Sequence, residues 1–336
     1  MNNQITRNKR ITGKRKKFLA GIKKFLKGMA VVIAVILIMG FAYEKFGQYS
    51  DSKKYKPVGK IINVDGHNMH IFAKGKGDAT VVFASGWGTP SPYADFYPLY
   101  NEISKHTRVA VYDRPGYGWS DVSKTPRDID TITKEMHELL VKSGEKAPYI
   151  LVGHSLGSLE VVRFAQMYKD EVKGIVMIEG GNPEYYSNEK QEGVNYVLIS
   201  SLSKSGAFRV IFNIPSLASS INAPRNNLAL VPKDLKELDK AMYLKNMTNK
   251  NKNDELKNAK NNATEVVSNG KLGSIPLRIL TSESESNGEL KWKQSQQAFK
   301  NWSTDSKQIM VPDAGHYIHQ YKPETINEQI LEILNK

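Results

Sequence analysis

Residues 148–165, PYILVGHSLGSLEVVRFA, place one serine, Ser155, between Gly153 and Gly157. The short apolar run 149–152 precedes this serine, and apolar residues recur behind it at helical spacing. The pattern predicts a strand that turns directly into a helix, with the serine hydroxyl at the helix N-terminus. Backbone dipoles favour negative charge there, so the spacing indicates a nucleophile that attacks an acyl carbonyl.

A serine nucleophile needs a general base, and His316 in the segment VPDAGHYIH, 311–319, is the candidate. It follows the last predicted strand, 307–311, so we expect it at the same edge of the sheet as Ser155. His319 is the second candidate, but it lies farther from that strand and leads into the final helix.

The base in turn needs a carboxylate that orients its ring. Glu179 directly ends the strand predicted at 173–178, whereas Glu285 follows the strand predicted at 276–281 in a polar Ser/Glu segment. We prefer Glu179, because a strand end holds a side chain more rigidly than a polar loop does. Glu285 stays open as the alternative acid.

The tetrahedral intermediate of acyl transfer needs two N–H donors, which form an oxyanion hole. The backbone N–H of Leu156, the residue after the nucleophile, is the first candidate. The second is the backbone N–H of Trp87 in FASGWGTP, after the third predicted strand. The flanking Gly86 and Gly88 would let that backbone approach closely.

Strands and helices that alternate along the chain must position these residues. Helices are predicted at 128–143 and 323–335, and such alternation is typical of a mostly parallel sheet. More than ninety residues separate the sixth and seventh strands, which predicts an inserted helical cap over about 182–273. The eight strands are predicted at 59–64, 69–73, 80–84, 108–112, 148–152, 173–178, 276–281 and 307–311.

The charge of the chain is concentrated at its N-terminus. Residues 1–27 hold ten Lys or Arg and no acid, out of a net charge of +14 for the chain, so the rest is not a basic, nucleic-acid-binding domain. Residues 28–43 carry no charge, and we predict a membrane anchor at 28–45. A cleavable signal peptide is the alternative.

The positive-inside rule places this basic tail in the cytoplasm. The catalytic domain, residues 58–336, would then lie outside the cell membrane, connected to a single-pass anchor by a linker at 46–57.

The chain contains no cysteine, which excludes disulfides, thiolate catalysis and cysteine-based zinc sites. His154 precedes the nucleophile and should point beneath the turn. The four histidines that precede His154 in the sequence suggest no set of metal ligands, so neither a metal nor a cofactor is predicted. They are His67, His70, His106 and His137.

These elements resemble the α/β-hydrolase superfamily. The matching segments are FASGWG, VYDRPGYGWSD at 111–121, LVGHSLGS at 151–158 and DAGHYIH at 313–319, in family order over 58–336. The resemblance implies an eight-stranded, mostly parallel sheet with helices on both faces, a cap after strand six and a Ser–acid–His triad. A serine nucleophile argues against the dehalogenase and epoxide-hydrolase branches, which use Asp.

The leading hypothesis is a membrane-anchored serine hydrolase, esterase-, lipase- or aminopeptidase-like, that cleaves an ester or amide through an acyl-enzyme. Its partner would be a small-molecule substrate. The apolar stretches YVLISSL and FRVIFNIPSLASSI could shape a pocket for an acyl or lipid-like group, or could only pack the cap onto the sheet. An acyltransferase and a catalytically silent ligand-binding module on the same fold are the alternatives.

Overall fold

A computed structural model of the chain describes residues 2–188 and 195–336. Residue 1 of the predicted basic tail and residues 189–194 of the predicted cap lie outside the described residues, and so do the side chains of residues 2–16.

Eight strands form one sheet in the order β1-β2-β4-β3-β5-β6-β7-β8. The pairs β1/β2 and β2/β4 are antiparallel, and the remaining pairs are parallel. The predicted eight-stranded, mostly parallel sheet is therefore confirmed. The strands are β1 Lys60–Val64, β2 His67–Lys74, β3 Thr80–Ala84, β4 Arg108–Asp113, β5 Tyr149–His154, β6 Val172–Ile178, β7 Leu277–Ser282 and β8 Ser306–Val311.

Helices fill the connections between these strands. α4 begins after Asp128, whose side chain accepts a hydrogen bond from the Thr131 N–H, and ends at Gly144 with φ +87°. The α-helices of the described chain are α1 Asn2–Lys54, α2 Pro92–Asp95, α3 Tyr97–Ile103, α4 Ile129–Ser143, α5 Gly157–Met167, α6 Pro183–Asn188, α7 Tyr196–Lys204, α8 Ala207–Phe212, α9 Pro215–Asn222, α10 Lys233–Asn246, α11 Lys250–Ser268, α12 Glu283–Gly288, α13 Leu290–Phe299 and α14 Pro323–Leu334. Short 3₁₀ helices occupy Lys169–Glu171, Ala223–Leu228, Lys300–Trp302 and Ile318–Gln320.

Apolar side chains cover both faces of the sheet, which is why its central strands are continuous apolar runs. On one face, Leu139 of α4 and Phe164 of α5 belong to one core cluster. On the other face, Ile103 of α3 and Ile330 of α14 belong to a second cluster. All five residues of β3 are buried between these two layers. The packing on both faces therefore fixes the strand ends from which the loops at the carboxyl edge of the sheet begin.

The N-terminal helix is longer than the sequence predicts. Within the described residues, the helix over Lys17–Lys54 is long and apolar enough to cross a membrane by length and composition. The predicted linker at 46–57 is mostly helical, because α1 continues to Lys54. Arg209 pairs with Glu44 and Asp51, two turns apart on one face of α1, and this contact stabilises the polar end of the helix.

The helices α6–α11 lie between β6 and β7, and we call them the helical insertion. α10 packs against α2, and α11 packs against α4, α5 and α6. A buried ion-pair network joins the insertion to the sheet domain, since Arg225 contacts Asp239 of α10 and Asp95 of α2. That the insertion forms a cap over the catalytic site stays a prediction.

Candidate active site

Ser155 lies in the turn between β5 and α5 with a φ of +50°, a strained value for a residue with a side chain. Its N–H donates to the Ile178 carbonyl over 3.2 Å. A Cβ added at Gly157 would lie 2.5 Å from the backbone oxygen of Ser85, so the loop after β3 leaves room only for glycine there. The surrounding backbone therefore holds the serine in its strained conformation.

The Ser155 hydroxyl has a neighbour that the sequence did not indicate. Tyr186 of α6, whose side chain is buried, forms a side-chain hydrogen bond with Ser155. Desolvation keeps the pKa of Tyr186 above its ordinary value, so its hydroxyl is protonated at neutral pH. It can donate a hydrogen bond to the Ser155 hydroxyl oxygen.

His316 lies in the loop between β8 and the 3₁₀ helix Ile318–Gln320, beside the turn that carries Ser155. Its ring centroid is 5.0 Å from that of His154, and its carbonyl oxygen is 3.2 Å from His154 Nε2. Desolvation, with a smaller contribution from His319, lowers the pKa of His316 to about 4. The imidazole is therefore neutral near pH 7, as a general base must be.

Glu179 follows β6 directly, with a φ of +45°, and its side chain is fully buried. Its Oε2 lies 3.9 Å from His316 Nδ1 and accepts a 2.7 Å hydrogen bond from Trp292 Nε1. Its Oε1 accepts a hydrogen bond from the Ser282 N–H. Desolvation raises the pKa of Glu179 to about 7, although these two donors favour the carboxylate.

The alternative acid, Glu285, occupies a different environment. It lies in the first turn of α12, where its backbone N–H donates to the Ser282 hydroxyl over 3.2 Å, and the residue is exposed. Of the two candidates, Glu179 is the one with a carboxylate beside the His316 ring.

The loop after β3 lies against the serine turn. A Cβ added at Gly86 would lie 3.1 Å from the Ser155 Cβ, which shows how closely this backbone approaches Ser155. The next residue, Trp87, donates its indole N–H to the Lys252 carbonyl over 2.7 Å. Leu156 is the N-cap residue of α5. The backbone N–H groups of Trp87 and Leu156 stay predicted oxyanion donors.

A cavity of about 410 Å³ lies between this loop and the helical insertion. Its walls are largely apolar, and a buried cation, Lys252, lies among them. Desolvation lowers the pKa of Lys252 to about 8. The lining residues are Trp87, Gly88, Pro90, Tyr196, Ile199, Phe208, Tyr243, Met247, Thr248, Asn249, Lys252 and Asn253.

Among the described residues, one group of side chains behind the turn has the spacing of a metal site. It consists of the buried Asp95, His154 and His319, whose potential ligand atoms lie within 4.8 Å of one another. However, Asp95 Oδ1 pairs with Arg225 and Asp95 Oδ2 contacts His319 Nε2, each at 2.9 Å. The guanidinium already neutralises this carboxylate and would repel a divalent cation, so a metal does not fit here. The cluster instead supports the His316 backbone through His154.

Residues 79–323 match the family model of the alpha/beta hydrolase fold. The chain belongs to the alpha/beta hydrolase family. This family assignment confirms the resemblance seen in the sequence.

Proteins with similar sequences match this chain over different shares of its length. The chain is 30% identical to the uncharacterized protein YbdG of Bacillus subtilis over 94% of this chain and 97% of that protein. It is also 30% identical to a pimeloyl-[acyl-carrier protein] methyl ester esterase of Shewanella woodyi, but over only 37% of this chain and 44% of the esterase.

Solved structures give the same fold at low sequence identity. An epoxide hydrolase mutant of Vigna radiata matches with a TM-score of 0.65 and 18% identity over 82% of this chain and 98% of the other. An esterase of Thermogutta terrifontis matches with a TM-score of 0.57 and 18% identity over 84% and 98% of the two chains. These likenesses establish the fold.

Proposed function

We propose that this hydrolase cleaves a carboxylic ester or amide through a covalent acyl-enzyme on Ser155. The observation that carries the proposal is the buried Glu179 carboxylate 3.9 Å from His316 Nδ1, at the sheet edge where the strained Ser155 turn lies. An oriented imidazole is what a serine needs to become nucleophilic.

In this mechanism the Ser155 oxygen attacks the acyl carbonyl carbon while His316 accepts the hydroxyl proton. The carbonyl oxygen becomes an oxyanion, which the backbone N–H groups of Leu156 and Trp87 bind. His316 then gives the proton to the leaving alcohol or amine, and the carbonyl re-forms as the acyl-enzyme. Water repeats the sequence, with His316 as base, and releases the acid. Glu179 stabilises the imidazolium in both halves.

The cavity next to Trp87 supports a substrate with an apolar acyl group. Tyr196, Ile199 and Phe208 of the helical insertion form part of its wall, and Lys252 could pair with a polar or anionic end of the substrate. The partial match to a methyl ester esterase also favours ester cleavage over amide cleavage.

We further propose that α1 is a retained single-pass anchor, with its N-terminus in the cytoplasm and the hydrolase domain outside the cell membrane. The ten basic residues before the apolar run support this orientation. Contacts across the possible signal-peptide cleavage site support retention, because both Gly40 and Glu44 pack against the helical insertion.

The test uses the full chain purified in detergent and a fluorophosphonate probe, which labels activated serines. We expect wild type to be labelled and to hydrolyse at least one substrate in a panel of acyl esters and aminoacyl arylamides. The Ser155→Ala variant should do neither while melting at the wild-type temperature. Absence of labelling and turnover in wild type would contradict the proposal and favour a silent binding module. Acyl transfer to an added alcohol in preference to water would favour an acyltransferase.

A further inference from the structure

The helical insertion carries an apolar outer surface on α7, α8 and α9, which we call the α7–α9 surface. Val197, Leu198 and Val210 expose 74%, 55% and 52% of their area. Residues 195–222 contain two charged residues and no acid, although 24% of the whole chain is charged. Such a surface is unusual for water-facing helices and marks an interaction site. Its residues are Val197, Leu198, Leu202, Val210, Ile214 and Leu217.

Direct backbone contact fixes where this surface lies along α1. A Cβ added at Gly40 would lie 2.1 Å from the Ser205 carbonyl oxygen, and one added at Gly206 would lie 2.6 Å from the Gly40 oxygen. Gly40 lies three residues before the end of the uncharged run 28–43. At 1.5 Å per residue, the turn between α7 and α8 therefore lies about 4–5 Å inside the apolar segment.

Polar contacts begin where the apolar run ends. Asn213 donates to the Tyr43 hydroxyl over 2.9 Å, and Tyr is a residue that favours the membrane–water interface. One residue farther along, Glu44 pairs with the buried Arg209 at 2.9 Å. These contacts hold the helical insertion at one height on α1, so the α7–α9 surface cannot move away from the membrane independently.

We propose that the α7–α9 surface lies in the headgroup and upper acyl region of the same bilayer that α1 spans. Amphipathic helices bind membranes at a depth of about 5–10 Å, which agrees with the position of the Gly40 contact. The exposed Lys204 at the end of α7 can extend its ammonium to lipid phosphates. This placement rests on the proposed anchor and does not depend on the proposed reaction.

The absence of cysteine from the chain makes a site-specific test simple. Leu198→Cys, Val210→Cys and Ile214→Cys, in the full chain reconstituted into phosphatidylcholine and phosphatidylglycerol vesicles, would each carry a fluorophore. Val32→Cys in α1 is the control inside the bilayer, and Val141→Cys on α4 is the control in water, since both positions are exposed on the protein. Quenching is measured with lipids that carry a nitroxide near the headgroup and with iodide in the water.

We expect nitroxide lipids to quench the three probes on the α7–α9 surface and iodide to leave them bright, with the reverse at Val141. Iodide quenching at these three positions would overturn the proposal. Protection from both quenchers would overturn it too, because a protein, such as a second copy of the chain, would then cover the surface. Flotation of the vesicles tests the anchor separately, and fluorophosphonate labelling tests the reaction. Because three positions are tested and a melting curve is measured for each variant, the result does not depend on a single variant that fails to fold.

Discussion

Glu179 Oε2 lies 3.9 Å from His316 Nδ1, although the two residues follow different strands, β6 and β8. This separation is longer than a hydrogen bond. Trp292 and Ser282 already fix this carboxylate, so only a small movement of the His316 loop is needed for it to accept a hydrogen bond from the Nδ1–H of the imidazolium. Catalytic hydrogen bonds often tighten only when substrate is bound.

The first prediction concerns the identity of the acid. Glu179→Gln should lower kcat/KM by about 10⁴-fold, because the imidazolium loses its charge partner and the wrong tautomer becomes accessible. Glu285→Gln and Glu283→Gln are matched controls and should keep most activity, since both residues are exposed on α12. The measurement is kcat/KM of the three variants on one ester. An inactive Glu285→Gln with an active Glu179→Gln would reverse the assignment.

The second prediction is a pH profile. Desolvation raises the pKa of Glu179 to about 7, and desolvation lowers that of His316 to about 4. Activity needs the carboxylate and the neutral imidazole, so kcat/KM should rise through about pH 7 and then level off. The residual activity of Glu179→Gln should lack the rise near pH 7 and decline only toward pH 4. A rise near pH 7 that persists in this variant would mean that another group titrates there.

The third prediction concerns the pH dependence of folding stability. The Glu179 carboxyl should lower the stability of the folded state over the same pH range in which it raises activity. Its folded pKa, about 7, is above the ordinary 4.5, so the folded state binds its proton more tightly than the unfolded state. This contribution to stability is fully present below pH 4.5 and is lost as the pH rises through 7. The melting temperature of wild type should therefore fall relative to that of Glu179→Gln across this range, and a constant difference would contradict the raised pKa.

The fourth prediction concerns the attachment of the helical insertion. Arg225→Met should destabilise the fold by about 3–5 kcal/mol, because it removes the guanidinium that the buried Asp95 and Asp239 carboxylates share. Lys250→Gln removes an exposed ion pair with Asp254 and should cost less than about 1 kcal/mol. Denaturant unfolding of both variants measures the difference. Equal costs would show that the buried network contributes no more than a surface pair.

The fifth prediction concerns membrane orientation. Protease added to intact cells that express the chain should digest the hydrolase domain, and an epitope tag before the N-terminus should stay protected and attached to α1. A cytoplasmic protein serves as the control for cell integrity. Protection of the hydrolase domain would overturn the orientation, whereas release of the tag as a small fragment without added protease would identify a cleaved signal peptide.

Local patterns in the sequence were enough to predict the eight strands and a mostly parallel sheet. The sharp turn at Ser155 was predictable because glycine spacing, an apolar strand and an amphipathic helix are all local features. The position of His316 was predictable because it follows the last strand, and residues that follow parallel strands lie at the carboxyl edge of the sheet. The preference for Glu179 followed from its position at a strand end, and the structure places its carboxylate beside His316.

Features that depend on distant partners could not be predicted in this way. The polar segment after Tyr43 has the composition of a linker, but it is helical, and its Glu44 pairs with Arg209, which lies 165 residues away in the sequence. No pattern in the sequence singles out Asp95, and only the fold brings Arg225 and His319 to its two oxygens. Tyr186 had no sequence signal at all, since its contact with Ser155 arises from the path of the chain after β6.

The helix α1 is unbroken to Lys54, and Glu44 and Asp51 near its C-terminal end form ion pairs with Arg209 of the helical insertion. A flexible linker would let the domain occupy many positions and orientations above the membrane, whereas a continuous helix holds it at one distance from the membrane surface. The proposed enzyme would therefore encounter its substrates by lateral diffusion in two dimensions. Its turnover should depend on the surface density of substrate in the bilayer rather than on the bulk concentration, so vesicle dilution at constant lipid composition should leave the rate per enzyme unchanged.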